Sequence, residues 1–459
     1  MAIENEYGSF GDDFNYLREL EEFFKKEKMD CLYFAADGGN EYYASTGRTG
    51  PHIVQGIDEG GIWPLGDGHF RFMDRFDPNC PYFIAEYWAG NFTDWGYKAC
   101  TDIPDEAFQQ SLDMMEKYGA SFNMYMIFGG TNFGFTNGAQ AFMNSTALNY
   151  NPVVTSYDYD AAISETGGYT RRYFAIKEMM ERDHSPAPIA VPKTPTLQNI
   201  GEVMLTQSAE LFDNLHIGHS HKSVTVETME EFDQWSGYIL YSKTFEHNTY
   251  LDMVRLIGIR DRAQVFLNGE YIDTASRVDA DMAIIQLPKR VEVGDRLDVL
   301  VENMGRICYG QETFFGDKKG IDGAIVLTER KGNGIRNPGK ITFNWDVTCL
   351  ELDNLSGVKF KNGITTKNPA FLKGTFKAQN QDSCFVHFDN LTKGVIYING
   401  FNIGRYWDFG PLKALYIPGA LLKEENEIVI FETDGIKGEP KVIINDICGI
   451  ENHKPEIIV

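Results

Sequence analysis

A chain of 459 residues exceeds what one ordinary core supports, and its length sets an expectation of about two to four domains. Its formal net charge of -24 repels phosphate backbones and anionic headgroups, so nucleic acid and membrane surfaces are excluded as expected partners and neutral substrates are favoured. A hydrophobic share of 43% with 13% aromatics belongs to a folded globular protein, not a disordered one. Cys31, Cys80, Cys100, Cys308, Cys349, Cys384 and Cys448 form no CxxC pair and lack ligand-like histidine spacing. Neither a zinc site nor a disulfide scaffold is therefore expected, and mostly buried free thiols are. No metal or cofactor is implied. No stretch approaches the ~20 apolar residues of a membrane span, and the first residues carry no basic or apolar leader, which points to a cytoplasmic chain.

Residues 1–8 read as the end of a strand with nothing before it to form its beginning. Asp13 is placed to cap a helix in which Leu17, Leu20 and Phe24 recur at helical spacing before a basic end at Lys25, Lys26 and Lys28. Strands are expected over 31–35, closing in Asp37-Gly38-Gly39, and near 52–57, ending in Asp58-Glu59-Gly60-Gly61. The next apolar run, in 81–96, ends in one carboxylate, Glu86, set among Tyr87, Trp88 and Trp95. Burying an ionised carboxylate is costly unless it is paired, hydrogen-bonded or used, so Glu86 invites a functional reading. A helix then runs from Pro104 through Phe108, Leu112 and Met115 to Gly119, followed by a strand over 122–128 and a helix over 170–182. Five strands alternating with helices predict a parallel α/β unit with its ligands at the C-terminal strand ends.

Four prolines between 186 and 195 make a stiff linker. Beyond it the pattern is all-β and duplicated. Residues 264–272 resemble 395–403, each an Asn-Gly hairpin between apolar strands, and two tandem β-sandwiches are the simplest account. The expected division is 1–184 for the α/β unit, 185–200 for the linker, 201–340 for the first sandwich and 341–459 for the second.

Glycosidic bonds are cut by two carboxyl groups, so Glu86 needs a mate from another strand end, and Glu4-Asn5-Glu6 offers one. The chain resembles glycoside hydrolase family 35, the β-galactosidases. The resemblance rests on 4–11 (ENEYGSFG), 85–90 (AEYWAG) with Trp95-Gly96, 129–135 (GGTNFGF), 156–161 (SYDYDA) and 398–407 (INGFNIGRYW). It implies a multidomain α/β plus all-β protein: strands 4 to 8 of a (β/α)8 barrel, followed by two jelly-roll or galactose-binding-like sandwiches. It also implies a retaining exo-β-galactosidase that removes terminal β-galactose from oligosaccharides or glycoconjugates without a metal. In that mapping Glu6 is the acid/base and Glu86 the nucleophile. Asn5 holds the sugar near its 2-hydroxyl, while Tyr157 and Tyr159 line the galactose subsite and help orient the nucleophile. Trp88 is placed to stack on a sugar ring or to pack as core.

Glu4 rivals Glu6, because strict strand alternation puts both on one face, but the family pattern selects Glu6 and leaves Glu4 an orienting role. Asp158 and Asp160 read as loop-capping carboxylates, and Tyr406 and Trp407 as packing against the barrel. The chain departs from the family pattern at Ala2, where Gln is usual, and at Asn91, where Trp is frequent. It also lacks the segments for barrel strands 1 to 3, so the isolated polypeptide is expected to show little or no hydrolysis unless a complementing N-terminal fragment or a second copy fills the gap. Two other readings remain at this stage: a non-catalytic carbohydrate-binding relative, and an exo-glycosidase of another specificity such as a β-glucosaminidase.

Overall fold

The protein was analysed as a computed structural model, which describes residues 1–61, 63–97, 103–143, 148–184, 190–249, 251–277, 282–309, 317–331, 334–335 and 339–450. Cys100 and residues 185–189 of the proline-rich linker lie outside the described residues.

Five parallel strands form one sheet in sequence order: β1 (Ala2–Asn5), β2 (Phe34–Gly38), β3 (Val54–Gly60), β4 (Phe83–Trp88) and β5 (Ser121–Tyr125). The helices are α1 (Tyr7–Phe10), α2 (Phe14–Lys26), α3 (Glu41–Ala44), α4 (Asp67–Phe76), α5 (Asp105–Tyr118) and α6 (Arg171–His184). Local chemistry explains the elements that the sequence foretold. The Asp13 side chain accepts the Asn15 N–H at 2.9 Å and starts α2, while Gly119, at φ 61°, ends α5 in the left-handed conformation that glycine adopts without penalty. Ile57, Ile84 and Tyr87 turn one face of the sheet toward Phe70 and Met73 of α4 and Phe108, Leu112 and Met115 of α5. This core fixes the alternation, so Asp58, the neighbour of Ile57 along β3, faces the other way.

Two expected strands are displaced: β2 begins at Phe34, not Cys31, and β5 stops at Tyr125 instead of reaching Phe128. Of the six described cysteines only Cys349 and Cys384 are buried, against the expectation of mostly buried thiols.

The remainder is β structure. A six-stranded sheet faces a four-stranded sheet across a core that includes Tyr241, Val265, Val299 and Trp345. A nine-stranded sheet wraps a second core around Leu372, Ile396, Tyr406 and Ile428. The two bodies bury a third core between them, where Tyr238, Phe266 and Leu300 meet Phe371, Tyr397 and Phe431. The chain does not divide where composition placed the boundaries. Strand Gly201–Glu210, expected in the first sandwich, pairs with Ala370–Lys377 and Lys441–Asn445 of the second. Strand Trp345–Leu350, expected in the second, pairs with Tyr238–Thr244 of the first. Apolar alternation marks a strand but not its partner.

The duplication seen in sequence is structural. Asn268 and Asn399 sit at φ 55° and 51° ahead of Gly269 and Gly400, as two-residue hairpins of the primed type require. Each asparagine takes a backbone N–H on its side-chain oxygen, Arg296 in one case and Glu427 in the other, and donates its amide to the residue before it, Asp295 or Asn426. Both hairpins carry a register shift at the same repeat position, between Val265 and Phe266 and between Ile396 and Tyr397.

Candidate active site

Four carboxyl groups gather at the C-terminal ends of adjacent parallel strands: Glu6 after β1, Asp37 on β2, Asp58 on β3 and Glu86 on β4. Asp58 stands beside Glu86 in the β3–β4 register, where a shift after Ile57 brings the two together. Burial pushes the Glu6 carboxyl up to about 7, and the nearby Glu86 and then Asp37 add to the shift. Asp58 is only 1% exposed, and neither of its carboxyl oxygens has a well-formed hydrogen bond. Burial first, then Glu86, Glu6 and Asp37, raises it to about 9. Like charges gathered in a partly dry site cannot all ionise, so near neutral pH the row keeps protons on Asp58 and on part of Glu6.

Glu6 is not a strand residue. β1 ends at Asn5, and Glu6 turns to φ 51°, ψ 31° ahead of α1, its N–H donating to Ala36 O at 2.7 Å. The alternation that made Glu4 its rival therefore stops before it: the Glu4 carboxylate takes the Tyr16 hydroxyl of α2 and its own Asn5 N–H, while Glu6 joins the acid row. Asn5 is exposed. On β4, the Trp88 indole N–H donates to Glu86 Oε2 at 3.0 Å, so this tryptophan orients a carboxylate, a role that neither stacking nor core packing foresaw.

Tyr157 and Tyr159 lie stacked at 5.4 Å between centroids, with Phe92 against both and Tyr125 edge-on to Tyr159. The Tyr157 hydroxyl meets that of Tyr125 at 3.2 Å. Asp158 Oδ1 accepts the Asp160 N–H at 3.1 Å, and Asp160 pairs with buried Arg172, which keeps both in loop roles. Trp407 is partly buried and packs on Trp95, while Tyr406 is fully buried with its hydroxyl on Glu432 at 2.7 Å and offers no sugar face.

Sequence reasoning missed three participants. Asp37 and Asp58 were visible only as polar ends of glycine-rich turns. Tyr309, from the strand Arg306–Tyr309 of the β half, lies near enough for Glu6 to raise its hydroxyl, burial being the larger cause. That strand pairs in parallel with Gly138–Met143, which carries the β half to the rim of the acid row. No signal in the sequence joins 138–143 to 306–309. Among the described residues no cluster of histidine, cysteine and carboxylate side chains has the arrangement of a metal site.

The model of glycosyl hydrolases family 35 matches residues 1–182, the first all-β domain of β-galactosidases matches 227–336, and their galactose-binding domain matches 369–427. A β-galactosidase of Bos taurus is 31% identical over 95% of this chain and 67% of its own length. The chain belongs to glycosyl hydrolases family 35. Other family relatives include β-galactosidase 1 of Dictyostelium discoideum, 29% identical over 94% of this chain and 68% of its own, and a β-galactosidase of Xanthomonas manihotis, 31% identical over 91% and 66%. The chain thus spans about two thirds of the length of the curated family members it matches. The all-β bodies of the fold are the family's all-β and galactose-binding domains.

Proposed function

We propose that the chain carries the chemistry of a retaining exo-β-galactosidase, with Glu86 as nucleophile and Glu6 as acid/base. The observation that supports this best is that Glu6 and Glu86 sit at C-terminal strand ends of one parallel sheet, close enough for Glu86 to help burial raise Glu6 to about 7. In the first step a Glu86 carboxylate oxygen forms a bond to the anomeric carbon as the glycosidic C–O bond breaks, and Glu6 gives its proton to the departing oxygen. In the second, Glu6 takes a proton from water as that water attacks the anomeric carbon, releasing Glu86 and the sugar with its configuration retained. An acid with a pKa near 7 suits both directions of transfer. Trp88 holds Glu86 in one orientation, Asn5 meets a sugar hydroxyl from its exposed position, and the Tyr157–Tyr159 stack offers the ring face of a sugar wall.

The five parallel strands are read as the fourth to eighth of a (β/α)8 barrel, running to about residue 184, and the β bodies as jelly-roll-like sandwiches. With β1 and β5 as the outer strands of the sheet among the described residues, full activity is assigned to an assembly in which further strands, supplied by a complementing segment or a second copy, close the sheet. The test is hydrolysis of a chromogenic β-galactoside by the chain, alone and with the N-terminal barrel segment of a family relative added in trans. Turnover is expected with the added segment, with the β-anomer of galactose released first, and Glu86→Gln lowers it by at least a thousandfold. A preference for a β-glucosaminide, or turnover indifferent to Glu86→Gln, would overturn the reading.

A further inference from the structure

The turn that presents Glu6 is held from one side. The Gly8 N–H, two residues on, donates to Asp37 Oδ1 at 2.9 Å in a buried contact. Space around that contact is closed. A Cβ on Gly8 would meet the Tyr43 carbonyl oxygen at 1.8 Å and Asp37 Oδ1 at 2.9 Å, and a Cβ on Gly47 would meet Asp37 Oδ2 at 1.7 Å. Asp37 is 1% exposed, and its Oδ2 has no hydrogen-bond partner. One oxygen is thus committed to the backbone of the Glu6 turn, and burial raises the carboxyl group from its ordinary value against the pull of the Gly8 N–H and the Gln55 side chain. The neighbouring Glu6 N–H is tied to Ala36 O, the residue preceding Asp37, so β2 grips the turn at two successive residues.

We propose that Asp37 is a positioning residue for Glu6, whose carboxyl group both clamps the turn that carries the acid and supplies part of the field in which that acid holds its proton. This rests on the reading of Glu6 as the acid/base. The titratable groups facing Glu6 are Glu86 from β4, Asp37 from β2, Asp58 from β3 and Tyr309 from the β half. Of these, Asp58 and Tyr309 are un-ionised at neutral pH, the first because it is raised to about 9 and the second because a phenol is raised further above its ordinary 10. Glu86 and Asp37 are the neighbouring carboxyl groups that raise Glu6, and burial raises Asp37 in turn against the lowering effect of the Gly8 N–H and the Gln55 side chain. Glu86 is spent on the chemistry, whereas Asp37, buried behind the turn, keeps its place when a sugar occupies the pocket.

The two duties separate in one variant. Asp37→Asn keeps an oxygen to accept the Gly8 N–H and removes the charge; Asp37→Ala removes both. The titration of Glu6 is read by 13C NMR of glutamate-labelled protein, with its resonance assigned by Glu6→Gln, and the Gly8 amide is followed by hydrogen exchange. In Asp37→Asn the Glu6 titration is expected to move down from about 7 by about one unit, as loss of a nearby like charge allows, with Gly8 still protected. Asp58→Asn is expected to leave Glu6 where it is. An unmoved Glu6 in Asp37→Asn, an equal shift in Asp58→Asn, or loss of Gly8 protection in Asp37→Asn as large as in Asp37→Ala would each overturn the proposal. None of these readouts needs turnover, so they stand apart from the loss of hydrolysis in Glu6→Gln that tests the acid assignment itself.

Discussion

The parallel sheet and the β bodies both bury carboxylates, but they treat them in opposite ways. In the β bodies the deeply buried Glu302, Asp261 and Glu432 are met by donors. Glu302 receives the Lys393 ammonium on both oxygens at 2.7 Å, and Asp261 receives Lys319, Arg277 and the Met304 N–H. Glu432 collects backbone N–H groups from Thr392, Lys393, Asp434 and Gly435 and the Tyr406 hydroxyl. Burial alone would raise Asp261, yet Lys319 and Arg277 outweigh it and leave the group below its ordinary value. At the parallel sheet Glu6, Asp37, Asp58 and Glu86 face one another, and two of them rise far above the carboxylate range. Paired charges hold architecture; crowded like charges store a proton for chemistry.

If that contrast is right, removing a partner among the β bodies is costly. Lys393→Met removes the cation that Glu302 meets on both oxygens and leaves it buried near the guanidiniums of Arg405 and Arg262, and a loss of about 3–5 kcal/mol is expected in urea unfolding. The double variant Glu302→Leu/Lys393→Met should recover only part of it, because buried Arg405 then loses the Glu302 carboxylate beside it. A loss below about 1 kcal/mol in Lys393→Met would show that this pair is no strut.

The opposite sign is expected at the acid row. Asp58 has a folded pKa near 9 against an unfolded value near 3.9, so the folded state keeps a proton that the unfolded state releases. Its contribution to stability is fully present below about pH 4 and is lost as pH rises toward 9. Asp58→Asn removes that dependence. The variant should gain on the order of 5 kcal/mol over the parent at pH 8 and little at pH 4, as measured by thermal unfolding across that range. A pH-independent difference would mean that Asp58 ionises in the fold.

How much of this was legible in sequence follows the range of each interaction. The α2 cap at Asp13, the α5 terminus at Gly119 and the two Asn-Gly hairpins depend on residues a few positions apart, and each lies where local chemistry put it. Glu86 could be singled out because an apolar run ending in a charge is a local oddity. Asp37 and Asp58 carry no such mark; their character comes from neighbours on other strands. The same limit hid the pairing of Gly201–Glu210 with strands more than 160 residues later, and of Arg306–Tyr309 with Gly138–Met143. Residue 6 failed for a different reason: a two-residue period says where a strand's side chains point but not where the strand stops.

The smallest effect tests the contrast at the level of the backbone. Asn399 and Glu6 share almost the same left-handed conformation, φ 51° in each. Asn399 belongs there, since asparagine tolerates the region and its side chain accepts the Glu427 N–H and donates to Asn426 and to Leu421 O. Glutamate has no such local compensation, and the side-chain capping that would excuse it is absent at Glu6. Asn399→Ala should therefore cost about 1 kcal/mol, whereas Glu6→Asn should stabilise the chain by up to about 1 kcal/mol by relieving the backbone and removing one of the crowded carboxylates. Chemical unfolding of both variants against the parent measures the pair. The turn at Glu6 is then a place where a strained residue is kept for what its side chain does, and a stability loss in Glu6→Asn equal to that in Asn399→Ala would place it instead among the ordinary turns of the fold.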